Sequence, residues 1–365
     1  MTTHWTFLLS LAMTAVTVLF VAALVVTQLR RRWGDRRRTR LGAPARRLLL
    51  ELAAGEDDAA ERLVALPERI WRAAEPTAVA LLAKIRGDAR GLLIEVFERR
   101  GVAKDARRQV RRHGVVRRAN AAALLGALRR REAVPDLCTL LTDFDPEVRV
   151  VAARSLGRIG DPSAVPALLR SVDLRMGPPH QVVAHALLDL GTPAERSLLD
   201  LLAEVGPGGR ATVVEVLGLA RTRRALPAII DVLWRDPERE VRVRAVRALG
   251  RIGGRAALGP VLDMVAPGRP TVLRAVAARA LGDLGDPTAT AHLAALLSDP
   301  VHQVAHNAAV SLVRLGESGL AVLRGAAEHD GAAGGHAREA LALDELDAVR
   351  LAESGVAPQP ERTAW

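Results

Sequence analysis

The feature of this sequence that most constrains its fold is a unit of about 31 residues that recurs along its middle. The clearest copy is DPEVRVVAARSLGRIGDPSAVPALLRSV, at residues 145–172. Aligned on one small residue, successive copies are spaced by 31, 31, 30, 32, 32 and 31 residues. The aligned residues are Gly126, Gly157, Leu188, Gly218, Gly250, Gly282 and Val313. Seven copies at a near-constant period predict similar structural units stacked in a row.

Each unit is predicted to contain two amphipathic helices, because its apolar residues follow helical spacing in two separate stripes. The stripes of the clearest copy are Val148, Val151, Ala152, Ser155, Leu156 and Ile159, then Val165, Leu168, Leu169 and Val172. Between them, Gly160 suits a left-handed helix end, Asp161 suits an N-cap and Pro162 is tolerated in a first turn. The same three residue types recur at 285–287. Neither helix can bury its stripe alone, so the units must stack.

The composition agrees with an all-α fold. The chain is 49% hydrophobic but 2% aromatic, and it has no Tyr. Aromatic side chains usually supply much of a globular core, so this chain must bury small aliphatic side chains over many helix contacts. The single cysteine, Cys138, excludes an internal disulfide and any multi-cysteine zinc site. Its place on an apolar stripe predicts a buried small hydrophobe rather than a nucleophile.

The repeat carries the pattern V-R-x-x-A-x-x-A-L-G-x-[IL]-G-[DG]-x-x-A most clearly at residues 145–172, 239–266 and 270–298. Through it the chain resembles the HEAT-repeat family, in particular the short bacterial repeats first named after phycobilisome-lyase proteins. The resemblance extends over residues 115–330 and implies an α-α superhelix whose surface binds other proteins. Relatives of this kind include enzymes that attach bilins or excise alkylated bases. This chain lacks the tyrosines and aromatic cages that would favour either activity.

The regions that flank the repeats are also predicted to be helical, except for the last residues. Residues 48–114 are expected to form a divergent helical N-terminal cap, and residues 331–352 a C-terminal capping helix. Residues 353–365, which contain two prolines, are expected to be a disordered tail.

Residues 1–29 contain no charged side chain, and the apolar run at residues 7–26 is predicted to cross a membrane. Twenty helical residues span about 30 Å, the thickness of a bilayer core. Trp5 and Trp33 bracket the run and suit the two interfacial belts. A cleaved signal peptide is disfavoured, because the leading MTTHWT has no basic residue and arginines stand where a cleavage site would be expected.

The basic linker at residues 30–47 has nine arginines against Asp35, a net charge of +8. Clusters of this kind remain cytoplasmic, so the N-terminus is expected outside and the solenoid in the cytoplasm. The predicted membrane-interface residues are Trp5, Trp33, Arg30, Arg31, Arg32, Arg36, Arg37 and Arg38.

A second basic stretch, residues 99–131, has twelve Arg or Lys against Asp105, a net charge of +11. Because the whole chain carries +11, the remainder totals −8. The candidate basic surface consists of Arg107, Arg108, Arg111, Arg112 and Arg117. It can contact anionic lipid headgroups or simply be solvated. A nucleic-acid patch is disfavoured, since the stretch has no aromatic residue for base stacking.

Two further positions recur with the period. Eight residues before the aligned small residue lie Arg118, Arg149, His180, Arg210, Arg242 and Arg274. This ladder is interpreted as structural: each arginine is expected to bond an Asp or a carbonyl at a neighbouring turn, as the six-residue spacings of Asp143 with Arg149 and Asp236 with Arg242 indicate. Three residues before the small residue lie Arg154, His185, Glu215, Arg247 and Arg279, which are expected to reach solvent.

The sequence predicts no catalytic residue, cofactor or metal site. A P-loop, a G-x-S-x-G elbow and a GxGxxG loop are absent. His302 and His306 lie one helical turn apart but lack an evident third ligand. Trp71 and Trp234 are expected to fill core or inter-repeat gaps.

Three functions remain open. The first is a membrane-tethered, non-catalytic cytoplasmic scaffold that binds another protein, and the acidic total charge of the solenoid would suit a basic partner segment. The second is an accessory subunit of a membrane-bound enzyme such as a polysaccharide-assembly glycosyltransferase. The third is a lyase-like or nucleic-acid-directed HEAT protein.

Overall fold

The computed structural model describes residues 19–20, 40–56, 58–82 and 84–354. These residues form α-helices joined by short turns and 3₁₀ segments, and none of them lies in a strand. The predicted all-α class is therefore confirmed. The helices belong to two compact units, one within residues 1–109 and one within residues 110–365.

The described residues of the first unit form five helices. They are α1 (Ala43–Ala54), α2 (Ala59–Ala65), α3 (Glu68–Leu82), α4 (Gly87–Arg99) and α5 (Val102–Gln109). Its core contains the edge-to-face pair of Trp71 and Phe97, whose ring centroids lie 5.3 Å apart. Arg100 lies over the Trp71 ring and donates to the carbonyl oxygens of Val64 and Leu66, at 2.9 and 2.7 Å. It thereby binds the carbonyl end of α2, where helical C=O groups lack partners.

The second unit, as far as residue 354, contains seven helix pairs, as the repeats predict. The first helices of the pairs are α6 (Val115–Ala127), α8 (Pro146–Ile159), α10 (His180–Leu190), α12 (Pro207–Leu219), α14 (Arg239–Ile252), α16 (Thr271–Leu284) and α18 (His302–Arg314). The second helices are α7 (Val134–Thr139), α9 (Val165–Val172), α11 (Thr192–Leu201), α13 (Leu226–Arg235), α15 (Arg255–Asp263), α17 (Thr290–Leu296) and α19 (Glu317–Ala327). A final helix, α20 (Ala332–Ser354), packs on α18 and α19.

The turn inside two of the clear repeats, at residues 145–172 and 270–298, has the predicted chemistry. Gly160 ends α8 with a φ of 76°, in the left-handed region that favours glycine. The Asp161 carboxylate then accepts a hydrogen bond from the backbone N–H of Ser163 at 2.9 Å. Gly285 and Asp286 repeat this arrangement after α16. A 3₁₀ turn follows each cap before the second helix begins.

Successive first helices stack in one layer, called here the first-helix layer, and the aligned glycines lie where they touch. A Cβ atom placed on Gly250 would lie 2.9 Å from the Cβ and 3.0 Å from the Cα of Ala280 on the next helix. One on Gly218 would lie 2.7 Å from the Cβ of Ala248. Separations this short do not occur between real Cβ atoms, so the close approach of these helices requires glycine at the aligned positions.

The third repeat, formed by α10 and α11, lacks this glycine contact. Leu188 stands in place of the aligned glycine, and α10 packs less extensively on α12 than the other first helices do on their neighbours. Here the capping of α12 is supplied from outside: the Asp173 carboxylate accepts hydrogen bonds from the backbone N–H groups of Gly208 and Gly209, at 2.8 and 3.2 Å.

Among the residues with described positions, no helix is both long and apolar enough to cross a bilayer. The predicted anchor at residues 1–29 lies outside this range, apart from Leu19 and Phe20. The basic linker up to residue 39 and the tail from residue 355 also lie outside it. The predicted interface residues outside the description are Trp5, Arg30, Arg31, Arg32, Trp33, Arg36, Arg37 and Arg38.

Candidate functional site: an arginine-lined groove

Most arginines of the repeat ladder are engaged inside the solenoid. The Nε and Nη2 of Arg118 donate to the two carboxylate oxygens of Asp143, in the turn that follows its unit. Arg210 makes the same pair with Asp236, and Arg274 with Asp299. Arg210 and Arg274 also donate to the carbonyl oxygen five residues earlier. These arginines therefore join the turns on both sides of their helix.

The expected six-residue spacing holds for Arg149 through a backbone carbonyl and not through the carboxylate. Arg149 donates to the backbone carbonyls of Asp143 and Phe144, at 2.8 and 3.1 Å, while the Asp143 carboxylate is bonded by Arg118. In the same way Asp236 bonds Arg210 rather than Arg242. Arg242 is half-buried, and its Nε has no hydrogen-bond partner. The sequence offers it no carboxylate at the equivalent distance, since Pro267 stands 25 residues later.

The positions three residues before the aligned small residue behave differently. Arg154, His185, Arg247 and Arg279 are exposed, as predicted. Glu215 is half-buried instead, and it accepts a hydrogen bond from Arg244 on the next first helix. This position therefore faces outward in most units and is used for inter-unit pairing in one.

Three first helices near the C-terminal end of the layer enclose a groove of about 640 Å³. Helix α16 forms its floor, and α14 and α18 form its two walls. Its lining residues are Arg247, Arg251, Thr271, Val272, Ala275, Val276, Arg279, Ala280, Asp283, Gln303 and Asn307.

The groove combines an apolar floor with an amide wall. Val272 is 46% exposed and contributes to the floor. On the α18 wall, the Asn307 amide donates to the Ala275 carbonyl at 2.7 Å, and Gln303 donates to the Asn307 side-chain oxygen at 2.9 Å. The Asn307 bond joins the wall to the floor helix, and the Gln303 bond lies within the wall.

The groove carries an excess of positive charge. Arg247, Arg251 and Arg279 make no ion pair or side-chain hydrogen bond with another residue in the described part of the chain. The single acidic lining residue, Asp283, accepts from Arg314 and is neutralised by it. Three guanidinium groups are therefore free to bind a ligand, and each presents five donors suited to carboxylate or phosphate oxygens.

The predicted basic surface is only partly available. In the first unit, Arg108 pairs with Asp105, and Arg107 also has an interaction partner. In the second unit, Arg111 donates to the buried carboxylate of Asp136, while Arg112 and Arg117 are exposed. Several of these cations thus have structural partners.

Three histidines gather at the last repeat. The rings of His302 and His306 lie 5.8 Å apart, and His336 of α20 lies 4.9 Å from His302. Glu339 is 3.8 Å from His306. Within the range that the structure describes, no group of three or more His, Cys, Asp or Glu side chains is arranged to hold a metal ion.

The remaining singled-out residues are divided between core and surface. Trp71 is buried, as predicted. Trp234 is 41% exposed, so it lies outside the core, and its ring contacts the guanidinium of Arg269, in the turn after α15, at 5.1 Å. It lies in the last turn of α13. Cys138 is half-buried, and burial raises the pKa of its thiol.

Sequence reasoning identified Arg247 and Arg279 as solvent-facing but missed the other groove residues. A signal for Arg251 was present, because it follows Arg247 by four residues and so shares its helix face. Gln303 and Asn307 gave no such signal, since their role depends on the contact between α16 and α18.

The family model of HEAT repeats matches residues 113–188 and 195–275, and that of the PBS lyase HEAT-like repeat matches residues 273–299. No curated protein matches the chain. Among solved structures, the complex of CpcE and CpcF of phycocyanin lyase from Nostoc is 23% identical with a TM-score of 0.32, covering 61% of this chain and 92% of that one.

Two further structures are similar. Human deoxyhypusine hydroxylase is 21% identical with a TM-score of 0.30, over 83% of this chain and 98% of that one. Kap95p, solved with RanGDP, is 13% identical with a TM-score of 0.46, over 77% of this chain and 45% of that one.

Proposed function

Since residues 113–188, 195–275 and 273–299 match HEAT-type repeats, we propose that this chain is a non-catalytic HEAT-repeat scaffold. It binds another protein in the groove between α14, α16 and α18. Its N-terminal segment holds it at the cytoplasmic face of a membrane, where the partner is a membrane enzyme or a protein associated with one.

One contrast carries the binding proposal. The ladder arginines Arg118, Arg210 and Arg274 each hold a carboxylate of their own chain. The groove arginines have no such partner among the described residues. An arginine with a structural role has its hydrogen-bond partners within its own chain. A cluster of arginines without such partners, in a groove, is typical of a binding site.

The stacking of the layer supports the same proposal. Backbone contact at Gly250 and Gly282 fixes the separation of α14, α16 and α18. Rigid elements hold a binding surface in one arrangement and so lower the entropy that a partner must lose on binding.

The membrane proposal rests on the uncharged segment at residues 1–29 and the arginines that follow it. The exposed Arg112 and Arg117 would add attraction to anionic lipid headgroups.

Site-directed photo-crosslinking in cells tests the binding proposal. A crosslinking amino acid replaces Val272 in the groove or, as a matched control, Leu174; both side chains are 46% exposed. We expect one discrete crosslinked protein from position 272 and none from position 174. Equal or absent crosslinking at the two positions would contradict a partner in the groove.

A further inference from the structure

We propose that the groove binds an acidic, extended segment of its partner, in which carboxylate side chains occupy alternate positions. This inference rests on the proposed function and names the chemistry of the partner segment.

The charge of the groove itself determines the sign of the charge expected on the partner segment. The chain outside its two basic stretches totals −8, which led to the expectation of a basic partner segment. The groove has the opposite sign, because Arg247, Arg251 and Arg279 are unpaired while Asp283 is held by Arg314. A basic segment would bring like charges together at close range, and an acidic one would neutralise them.

The spacing of the arginines matches an extended chain. Arg247 and Arg251 are four residues apart on α14, so their Cα atoms are separated by about 6 Å along the helix axis. In an extended chain, side chains on one face repeat every two residues, at about 6.6 Å. Two carboxylates in a Glu-x-Glu pattern can therefore reach both guanidinium groups.

The third arginine adds a contact across helices. Arg279 precedes Gly282 by three residues, just as Arg247 precedes Gly250. Neighbouring helix axes lie about 8–10 Å apart. Arg279, on the floor helix α16, therefore lies beside Arg247 of the α14 wall. It can bind a further carboxylate of the same segment.

The rest of the groove suits the backbone of such a segment. Val272 and Val276 offer an apolar floor, and Gln303 presents a side-chain amide on the opposite wall. Since the Gln303 amide nitrogen already donates to Asn307, its oxygen is left to accept from a backbone N–H.

Nucleic acid fits the groove less well. Its lining contains no aromatic side chain on which a base could stack. An acidic peptide needs only the guanidinium groups and the amide wall that are present.

Fluorescence anisotropy with the full-length protein in detergent micelles tests the proposal. The probes are three labelled peptides: GESESEG, its neutral counterpart GQSQSQG, and GEESSEG, which has the same composition without the alternation. We expect GESESEG to bind, GQSQSQG not to bind, and GEESSEG to bind more weakly. Binding should weaken with added salt, because exposed ion pairs are screened.

Two triple variants with equal charge changes provide the decisive comparison. Arg247→Gln, Arg251→Gln and Arg279→Gln together should weaken binding of GESESEG about tenfold or more. The control replaces Arg170, Arg196 and Arg235 with Gln; these exposed residues lie on second helices. It should bind like the unmodified protein. Equal binding by both variants, or tighter binding of the neutral peptide or of a single-stranded oligonucleotide, would overturn the proposal.

Crosslinking at position 272 separates this inference from the proposed function. If a protein crosslinks there but excess GESESEG does not compete with it, the scaffold function stands and the acidic segment is wrong. If nothing crosslinks there, the groove itself is not the partner site.

Discussion

Arg118 and Asp143 are joined by two parallel hydrogen bonds, of 2.7 and 2.8 Å, that connect a first helix to the turn beginning the next unit. The pair is largely shielded, with side-chain exposures of 17% and 8%. Asp143 also accepts from the backbone N–H of Asp145 at 2.9 Å. One carboxylate thus serves both the inter-unit pair and the start of α8.

Asp143→Asn is expected to destabilise the protein by about 2 kcal/mol, because it removes a charge-assisted, two-pronged bond at a shielded site. Asp231→Asn is the control, since Asp231 pairs with Arg235 on an exposed surface; it should cost about 0.5 kcal/mol or less. Urea unfolding followed by circular dichroism measures both. Equal effects of the two changes would show that the pair adds no more than a surface bridge.

The contribution of Asp143 should depend on pH. Burial alone would raise the pKa of its carboxyl, but the bonds from Arg118 and the Asp145 N–H outweigh burial and lower it below 3.8. A lowered folded-state pKa gives stability that is present above the unfolded pKa and is lost as the pH falls through the folded one. The stability difference between wild type and Asp143→Asn should therefore be constant between about pH 5 and 7 and shrink below about pH 4. A difference that grows on acidification would contradict this.

Gly250→Ala and Gly91→Ala are expected to change stability in opposite directions. At Gly250 the added Cβ meets Ala280 and forces α14 and α16 apart, at a cost of about 1–3 kcal/mol. At Gly91, inside α4, the Cβ would meet nothing within 4 Å, so better helix propensity should add about 0.5–1 kcal/mol. Thermal unfolding measures both. Stabilisation by Gly250→Ala would exclude backbone contact at the aligned glycines.

Cys138 should alkylate slowly. Burial raises the pKa of its thiol above 9.0, although Arg170 opposes the shift, so little reactive thiolate is present near neutral pH. Iodoacetamide should modify it more slowly than glutathione at pH 8, with the rate still rising above pH 9. The urea-unfolded chain is the control and should react like a free thiol. Equal rates in the folded and unfolded chain would refute the shielding.

The orientation proposed for the N-terminal segment places residue 365 in the cytoplasm. Alkaline phosphatase fused there should be inactive, and green fluorescent protein fused there should be fluorescent. Deletion of residues 1–39 should release the chain from the membrane fraction. An active phosphatase fusion would place the repeats on the opposite side.

Much of the fold could be predicted from local sequence. Gly160 and Asp161 specify a turn by themselves, and the apolar stripes specify the helices that the turn joins. Such features depend on neighbours in sequence, which the repeat displays several times.

The pairings between units could not be predicted in the same way. Asp143 lies six residues from Arg149 and 25 from Arg118, and both distances bring an arginine to the same turn. Only the stacked arrangement decides which arginine takes the carboxylate. The groove could not be predicted from the sequence for the same reason, since α14, α16 and α18 each contribute residues to it.

The aligned glycines also separate two tasks that many proteins assign to the same residues. Gly250 and Ala280 keep the helices together by backbone contact, whereas Arg247 and Arg279 lie one turn away and face outward. A substitution at an outward position therefore leaves the stacking contacts untouched. Over evolutionary time, a gene built in this way can exchange its binding partner by changing surface codons while the codons for glycine stay fixed.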